Sequence, residues 1–347
     1  MKLTQYLWLR QLFDADSGTY TYLLYETKTH EALLIDTVKE RFLRDARLIH
    51  ELGLNLRFTL DTHVHADHIT AAGIFRRNFG IQTIVGDPFH VPCADLHLKD
   101  GEEIQLGQFK VKVIATPGHS GGCVSYFVEG AVFTGDCLLI RRCGRTDFQQ
   151  GDPTRLYHSI MNQLYSLPDD TLVFPGHDYE GRSCSTIGEE KSHNIRIRHD
   201  TPLSDFVGTM GALNLPRPKL MDIAVPANLG CGLEDTSSEP SAFFTMRELG
   251  EIYEILPSNT LLLDCRTHDE FTGGHVPGAV NIPMGEEEDQ LERLLSHSRI
   301  IVYCRSGRRA QTVTANLEGH GCENVVCVGS SGIVDWDAMG LPSASGK

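Results

Sequence analysis

FTLDTHVHADH, residues 58–68, is a β-prone run that breaks directly into His63-Val64-His65-Ala66-Asp67-His68. Four ligand-type side chains fall within six residues, separated only by Val64 and Ala66. Alternate side chains of a strand point to opposite faces, so these four converge only if the chain turns here. A loop of solvated histidines would account for an isolated HxH equally well. It is disfavoured because the pattern recurs. Thr116-Pro117-Gly118-His119 follows KVKVIA, Thr134-Gly135-Asp136 follows AVF, and Pro175-Gly176-His177 follows TLVF. Each puts one ligand-type side chain just beyond a strand, at a Gly-containing turn. His63, His65, Asp67, His68, His119, Asp136 and His177 offer nitrogen and oxygen donors without a thiolate. Such a set suits one or two divalent ions such as zinc or iron, and residue type alone points to a dinuclear hydrolase.

Outward from this motif, strand patterns alternate with turn signals: TYTYLLYE, ALLIDT, FTLDT, KVKVIAT, CVSYFV, AVFTG and TLVFPG. Helical patterns fall near 39–52, 69–80 and 153–166, the last opened by an Asp cap and an early Pro in DPTRLYHSI. Mixed strands and helices of this kind predict an αβ/βα sandwich over residues 1–232, with the ligand-type residues on loops at strand ends. The polar, small-residue stretch CGLEDTSSEPSA predicts a linker at 233–242. Beyond it, over 243–347, short strands alternate with short helices, as in a small parallel-sheet α/β domain.

That second segment carries its own chemical signal. RIIVYCRSGRR, residues 299–309, reads as a buried strand, a tight loop and a helix start, with Cys304 at the strand end. Loop amides near a helix N-terminus, with Arg305, Arg308 and Arg309, would hold Cys304 as a thiolate, with Ser306 and Gly307 completing the turn. A merely structural cysteine fits VYC but gives the arginine-rich turn no purpose. The other cysteines, including Cys265, Cys322 and Cys327, lack such neighbours and are expected to be inert, small buried hydrophobes.

Composition narrows the function classes. The 347 residues suffice for two cores, and 41% hydrophobic with 22% charged residues is ordinary for a globular protein. A net charge of −15 argues against nucleic acid or an anionic membrane as partner. No apolar run reaches the ~20 residues of a membrane span. Arg10 and Asp14 interrupt the N-terminus too early for a signal-peptide core, and the ten cysteines are scattered with no CxxC pair. A cytoplasmic location and reduced thiols are therefore expected.

The ordered metal motifs over roughly 1–230 resemble the metallo-β-lactamase superfamily. Within it, FTGDCLLIRRCGRTDFQQGD, residues 133–152, resembles the persulfide dioxygenases of the ethylmalonic encephalopathy protein type, which are similar in fold to glyoxalase II. The resemblance implies one Fe(II) per chain on His63, His119 and Asp136, with His65, Asp67, His68 and His177 orienting those ligands. It also implies that Arg145 and Tyr179 contact glutathione. Asp147 stands where glyoxalase II usually has an aromatic, and the tail before the linker is short for that enzyme's helical substrate domain. Both departures favour the dioxygenase.

LLLDCRTHDEFTGGHVPGAVNIP (261–283) and CRSGRR (304–309) resemble a rhodanese domain. Related phosphatases have a loop one residue longer, and residue 310, where their arginine would stand, is Ala310. Asp264 and Arg266 are expected to tie the strand to the loop. The whole chain resembles the persulfide dioxygenase–rhodanese fusions. That arrangement implies oxidation of glutathione persulfide by O2 to sulfite and glutathione. It also implies transfer of sulfane sulfur between thiosulfate and glutathione through a Cys304 persulfide. Two alternatives stay open: a glyoxalase II-like thioester hydrolase with two metals, and a rhodanese domain that only docks a partner. The direction of the sulfur transfer and the oligomeric state, a homo-oligomer included, also stay open.

Overall fold

The computed structural model describes residues 1–87, 91–233, 243–257, 259–322 and 324–346. Apart from Leu233, the expected linker lies outside the described residues. The chain divides into two compact units, Met1–Arg76 with Ile81–Asp235, and Arg77–Gly80 with Thr236–Lys347.

The first unit contains two six-stranded sheets. One runs in chain order through β1 (Leu7–Asp14), β2 (Thr19–Glu26), β3 (Glu31–Ile35), β4 (Asn55–Leu60), β5 (Gln82–Gly86) and β6 (Leu96–Leu98). Its first three strands are antiparallel, and β3 to β6 are parallel. The other is built from β7 (Glu103–Leu106), β8 (Phe109–Ala115), β9 (Val124–Val128), β10 (Ala131–Gly135), β13 (Leu172–Pro175) and β14 (Ser185–Thr186). Its order is β14-β13-β10-β9-β8-β7, while β11 (Leu138–Leu139) and β12 (Arg142–Cys143) form a small separate ribbon. In β8 the alternation of FKVKVIA turns Val111 and Val113 inward and Lys110 and Lys112 to solvent. Leu24, Leu33, Leu60 and Ile84 of the first sheet meet Val113, Tyr126, Phe133 and Phe174 of the second in one buried core.

Helices cover the outer faces, as expected of the αβ/βα class. Phe42 and Phe75, from helices Phe42–Glu51 and Ala72–Phe79, meet edge-on at 4.8 Å. Helix Pro153–His158 starts as the sequence suggests, with Asp152 accepting from the amides of Thr154 and Arg155 and Pro153 in the first turn. It runs on as a π-helical stretch, Ser159–Leu164, that buries Ile160 and Leu164. Three further helices, Ile187–His193, Leu203–Gly211 and Met221–Leu229, were not marked by the sequence patterns. Their apolar faces are short or interrupted by Gly and Pro226, so a periodicity test does not find them.

The second unit holds a five-stranded parallel sheet: β15 (Phe243–Phe244), β16 (Thr260–Asp264), β17 (Val280–Asn281), β18 (Arg299–Tyr303) and β19 (Val325–Val328), in the order β15-β19-β18-β16-β17. All five residues of the central β18 are buried, as a strand covered on both faces requires. Helix Arg308–Gly319 packs Ala310, Val313 and Leu317 onto the sheet face formed by Leu261, Leu263, Ile300 and Val302. No helix among the described residues is long and apolar enough to cross a membrane.

Candidate functional site

The metal motifs converge because each ends a strand on one edge of the sandwich. Parallel pairing of β10 with β13 sets Gly135 beside Pro175 and so brings Asp136 and His177 together. Gly135 takes a positive φ of 48°, and a Cβ there would collide with the Thr62 hydroxyl, which locks the loops after β4 and β10 against one another. One ligand atom each from His63, His119 and Asp136 lies within 4.8 Å of the others.

The hydrogen bonds around these three residues decide which atom of each faces the centre. His119 Nδ1 donates to the Arg145 carbonyl at 2.7 Å, so its Nε2 carries the lone pair, 3.6 Å from Asp136 Oδ2. The Thr62 hydroxyl donates to Asp36 at 2.9 Å and therefore accepts from His63 Nδ1 at 2.9 Å, which leaves His63 Nε2 bare. Asp136 Oδ1 is taken by His177 Nδ1 at 2.7 Å, leaving Oδ2. Three oriented donors with their far atoms already held are what a divalent ion of the first transition row requires. The residues fit a metal.

The remaining motif residues do not offer the same freedom. His177 is bound by carboxylates on both nitrogens, Asp136 on Nδ1 and Asp67 on Nε2 at 3.0 Å. Burial disfavours its charged form, but Asp136 and Asp67 outweigh burial and hold it well above the ordinary histidine range. Asp67 also accepts from His68 at 2.9 Å and from the Thr19 hydroxyl at 3.0 Å. His65 Nε2 meets Asp36 at 3.1 Å; burial opposes its charge, yet Asp36 raises it to about 9. His65 Nδ1 and His68 Nε2 are buried with no hydrogen-bond partner.

Asn228 from helix Met221–Leu229 closes the loop from below. Its amide donates to the carbonyls of His65 and His68, both at 2.9 Å, and its oxygen accepts from the Thr70 amide at 2.8 Å. Asn228, Thr19 and Asp36 are site residues that the sequence reading missed. No local pattern marks them, since each reaches the loop from a distant segment.

Tyr179 is 71% exposed, and its ring stacks on His177 with centroids 5.8 Å apart. The Arg145 guanidinium is already engaged: it forms a two-pronged pair with Asp147 at 2.6 and 2.7 Å and donates to the carbonyls of Pro216 and Leu215. A glutathione carboxylate would have to exchange with Asp147, whose side chain is 52% exposed.

In the second unit Cys304 sits buried at the end of β18, and the Gly307 amide donates to its Sγ at 3.2 Å. Gly307 has a φ of +92°, and a Cβ on it would lie 2.5 Å from the Ser330 amide, so only glycine closes this turn. The thiol is brought down to about 5, first by a hydrogen bond from Cys265 and then, against burial, by the amides of Ala310, Ser306 and Gly307. Arg305 and Arg308 are exposed with Ser306, and Arg309, tied to Glu270 at 2.6 and 2.8 Å, still interacts with the Cys304 charge. Asp264 and Arg266 form the expected buried pair, and Arg266 also donates to the Gly274 carbonyl at 2.6 Å.

Two features of the cysteines were not expected. Cys265 is a free, buried thiol in the same cluster as Cys304, a neighbour that the sequence did not show. Cys93 and Cys231 are joined in a disulfide across 138 residues, with Cα atoms 5.9 Å apart, so not all ten thiols are free.

A metal centre on a β-sandwich edge and a thiolate loop on a parallel sheet define a metallo-β-lactamase fold joined to a rhodanese domain. The comparisons agree. Residues 15–177 match the metallo-beta-lactamase superfamily model, and residues 248–339 match the rhodanese-like domain model. The chain is 47% identical over 229 residues to the mitochondrial persulfide dioxygenase ETHE1 of Homo sapiens, spanning 65% of this chain and 89% of that protein. The crystal structure of ETHE1 from Myxococcus xanthus superposes with a TM-score of 0.64 at 48% identity, covering 65% of this chain and all of that one. Similarity to a hydroxyacylglutathione hydrolase of Brucella ovis is lower, 35% over 188 residues, spanning 52% of this chain and 71% of that protein. The chain belongs to the ETHE1 persulfide dioxygenase family, with a rhodanese domain fused after the metal domain.

Proposed function

We propose that the chain oxidises glutathione persulfide with O2 to sulfite and glutathione, using one Fe(II) per chain, and moves sulfane sulfur between thiosulfate and glutathione at Cys304. His63, His119 and Asp136 hold the iron in this reading. Iron bound there would supply the redox chemistry for joining O2 to the sulfane sulfur. The chain's own residues prepare the site for it. The Arg145 carbonyl and the Thr62 hydroxyl fix the tautomers of His119 and His63. Protonated His177 steadies the Asp136 carboxylate. Tyr179 offers an exposed hydroxyl to the substrate peptide, and Arg145 offers a carboxylate site by exchange with Asp147.

His177 carries the choice of one metal over two. Both its nitrogens face carboxylates, Asp136 at 2.7 Å and Asp67 at 3.0 Å, an arrangement that favours a single ion on His63, His119 and Asp136. The two-metal hydrolase reading draws on the partnerless His65 Nδ1 and His68 Nε2. Metal analysis of protein purified without exchange, paired with an oxygen electrode, separates them. One iron per chain with persulfide-dependent O2 uptake is expected. Two zinc ions with full thioesterase activity and no O2 uptake would overturn the reading.

For the second unit, a cysteine held as a thiolate below neutral pH is a nucleophile rather than a remnant in a docking module. It takes the outer sulfur of thiosulfate, releasing sulfite, and the resulting persulfide passes that sulfur to glutathione.

A further inference from the structure

Cys265 and Cys304 form a pair of thiols on one face of a parallel sheet. The register of β16 and β18 ends with Asp264 opposite Tyr303, and the first residue beyond each strand, Cys265 and Cys304, follows in step. Alternation confirms the face. Leu261, Leu263 and Cys265 of one strand share a buried cluster with Ile300, Val302 and Cys304 of the other. Cys265 is held beside that strand through its amide, which donates to the Tyr303 carbonyl at 3.0 Å, and its thiol donates to the same oxygen at 3.3 Å. Neighbouring strands run about 4.8 Å apart, inside the ~4.4–6.8 Å Cα separation that a disulfide spans. Both cysteines are free thiols. Cys327 occupies the same face through its pairing with Val302, but two residues out of step with Cys304.

We propose that Cys265 is the resolving thiol of the sulfur-transfer site, attacking the Cys304 persulfide to form a Cys265–Cys304 disulfide and release the outer sulfur as sulfide. The inference rests on the reading that Cys304 takes up sulfane sulfur. In the step, Cys265 Sγ bonds to Cys304 Sγ, the bond between Cys304 Sγ and the outer sulfur breaks, and the Cys265 proton leaves with the departing sulfur as HS⁻. The sulfane sulfur gains two electrons and the two cysteine sulfurs lose them. Two equivalents of a reducing thiol then restore both cysteines. While Cys304 is a bare thiolate, that neighbour and burial push the ionisation of the Cys265 thiol up, so it is a poor nucleophile before sulfur arrives. Once the negative charge has moved to the outer sulfur, that restraint is gone. The site thus has two exits for its sulfur: an acceptor thiol from solution, or the neighbouring cysteine when no acceptor is present.

The test uses the full chain, reduced and freed of small thiols, then treated with inorganic polysulfide, which loads Cys304 chemically whether or not thiosulfate is a substrate. Free thiols are alkylated and peptides are weighed without reduction. The wild-type chain is expected to show a Cys265–Cys304 cross-link, Cys327→Ser to show the same, and Cys265→Ser and Cys265→Ala to show a stable one-sulfur adduct on Cys304. Wild-type protein that keeps the adduct with no cross-link, or that links Cys304 to Cys327 instead, overturns the proposal. A parallel arm with thiosulfate reads sulfite release; its failure, with the cross-link present under polysulfide, would remove the thiosulfate reading and leave the resolving step standing.

Discussion

At His119 two bonds do separate work: Nδ1 is committed to the Arg145 carbonyl, and only Nε2 is left for the metal. His119→Ala removes a ligand without disturbing the core, since the residue lies on a loop after β8. The variant is expected to fold, to lose its iron and to lose persulfide-dependent O2 uptake together, because two protein ligands hold Fe(II) poorly. Iron per chain and an oxygen electrode check this, and full iron retention would show that His119 is no ligand. Cys304 supports a pH prediction. Its thiol is lowered to about 5, against about 8.5 for a free cysteine. The reactive thiolate is therefore present above about pH 5 and lost as pH falls below it. Alkylation by iodoacetamide should level off well before pH 7, and Cys265→Ala should move the inflection upward, since the Cys265 hydrogen bond is the largest lowering cause. An inflection near 8.5 in the unaltered chain would contradict the amide cage.

At the level of elements, the helix Met221–Leu229 acts on the metal loop through one side chain. Asn228 is buried and makes three hydrogen bonds to the backbone of residues 65–70, so the loop's turn depends on a helix more than a hundred and fifty residues away. The Cys93–Cys231 disulfide anchors the segment just after that helix, and the Gly73 amide donates to the Cys231 carbonyl at 2.9 Å. Asn228→Ala leaves two buried carbonyls and one amide without partners. The expected loss is about 3 kcal/mol of unfolding free energy and roughly 10- to 100-fold in metal affinity. Denaturant melts of the metal-free protein and a chelator titration of the loaded protein measure the two effects. A destabilised variant with unchanged metal affinity would show that the helix supports the fold but does not shape the loop.

For the molecule as a whole, the question is how two active sites share one sulfur atom. Both substrates implied by the reading contain glutathione, so a freely diffusing carrier suffices to connect them. In that reading, oxidation of persulfide to sulfite is strongly downhill and would draw sulfur out of thiosulfate by removing the rhodanese product. Cys304→Ser is therefore expected to abolish O2 uptake driven by thiosulfate plus glutathione, while uptake with added glutathione persulfide stays near the wild-type rate. An oxygen electrode with the two substrate mixtures reads both numbers. Loss of both activities would mean that the dioxygenase depends on Cys304 directly, and the diffusing carrier would be excluded.

HVHADH, TPGH, TGD and PGH are each contained in a few residues at a strand end, and CRSGRR contains its own turn. For that reason the candidate metal donors, the candidate nucleophile and the order of the two folds could be read from the amino-acid sequence. Local chemistry sets a local turn, and resemblance then orders the turns into a site. Three things came only with the tertiary structure. Register between β16 and β18 made Cys265 a neighbour of Cys304, although LLLDC shows nothing but a buried strand. Convergence of distant segments supplied Thr19, Asp36 and Asn228 and closed the disulfide across 138 residues. Competition among partners turned Arg145 toward Asp147 and set His177 between the carboxylates of Asp136 and Asp67. The physical reason is common to all three. Periodicity and turn residues report what a segment does by itself, whereas a side chain's partner depends on register and packing, which exist only once every strand has its place.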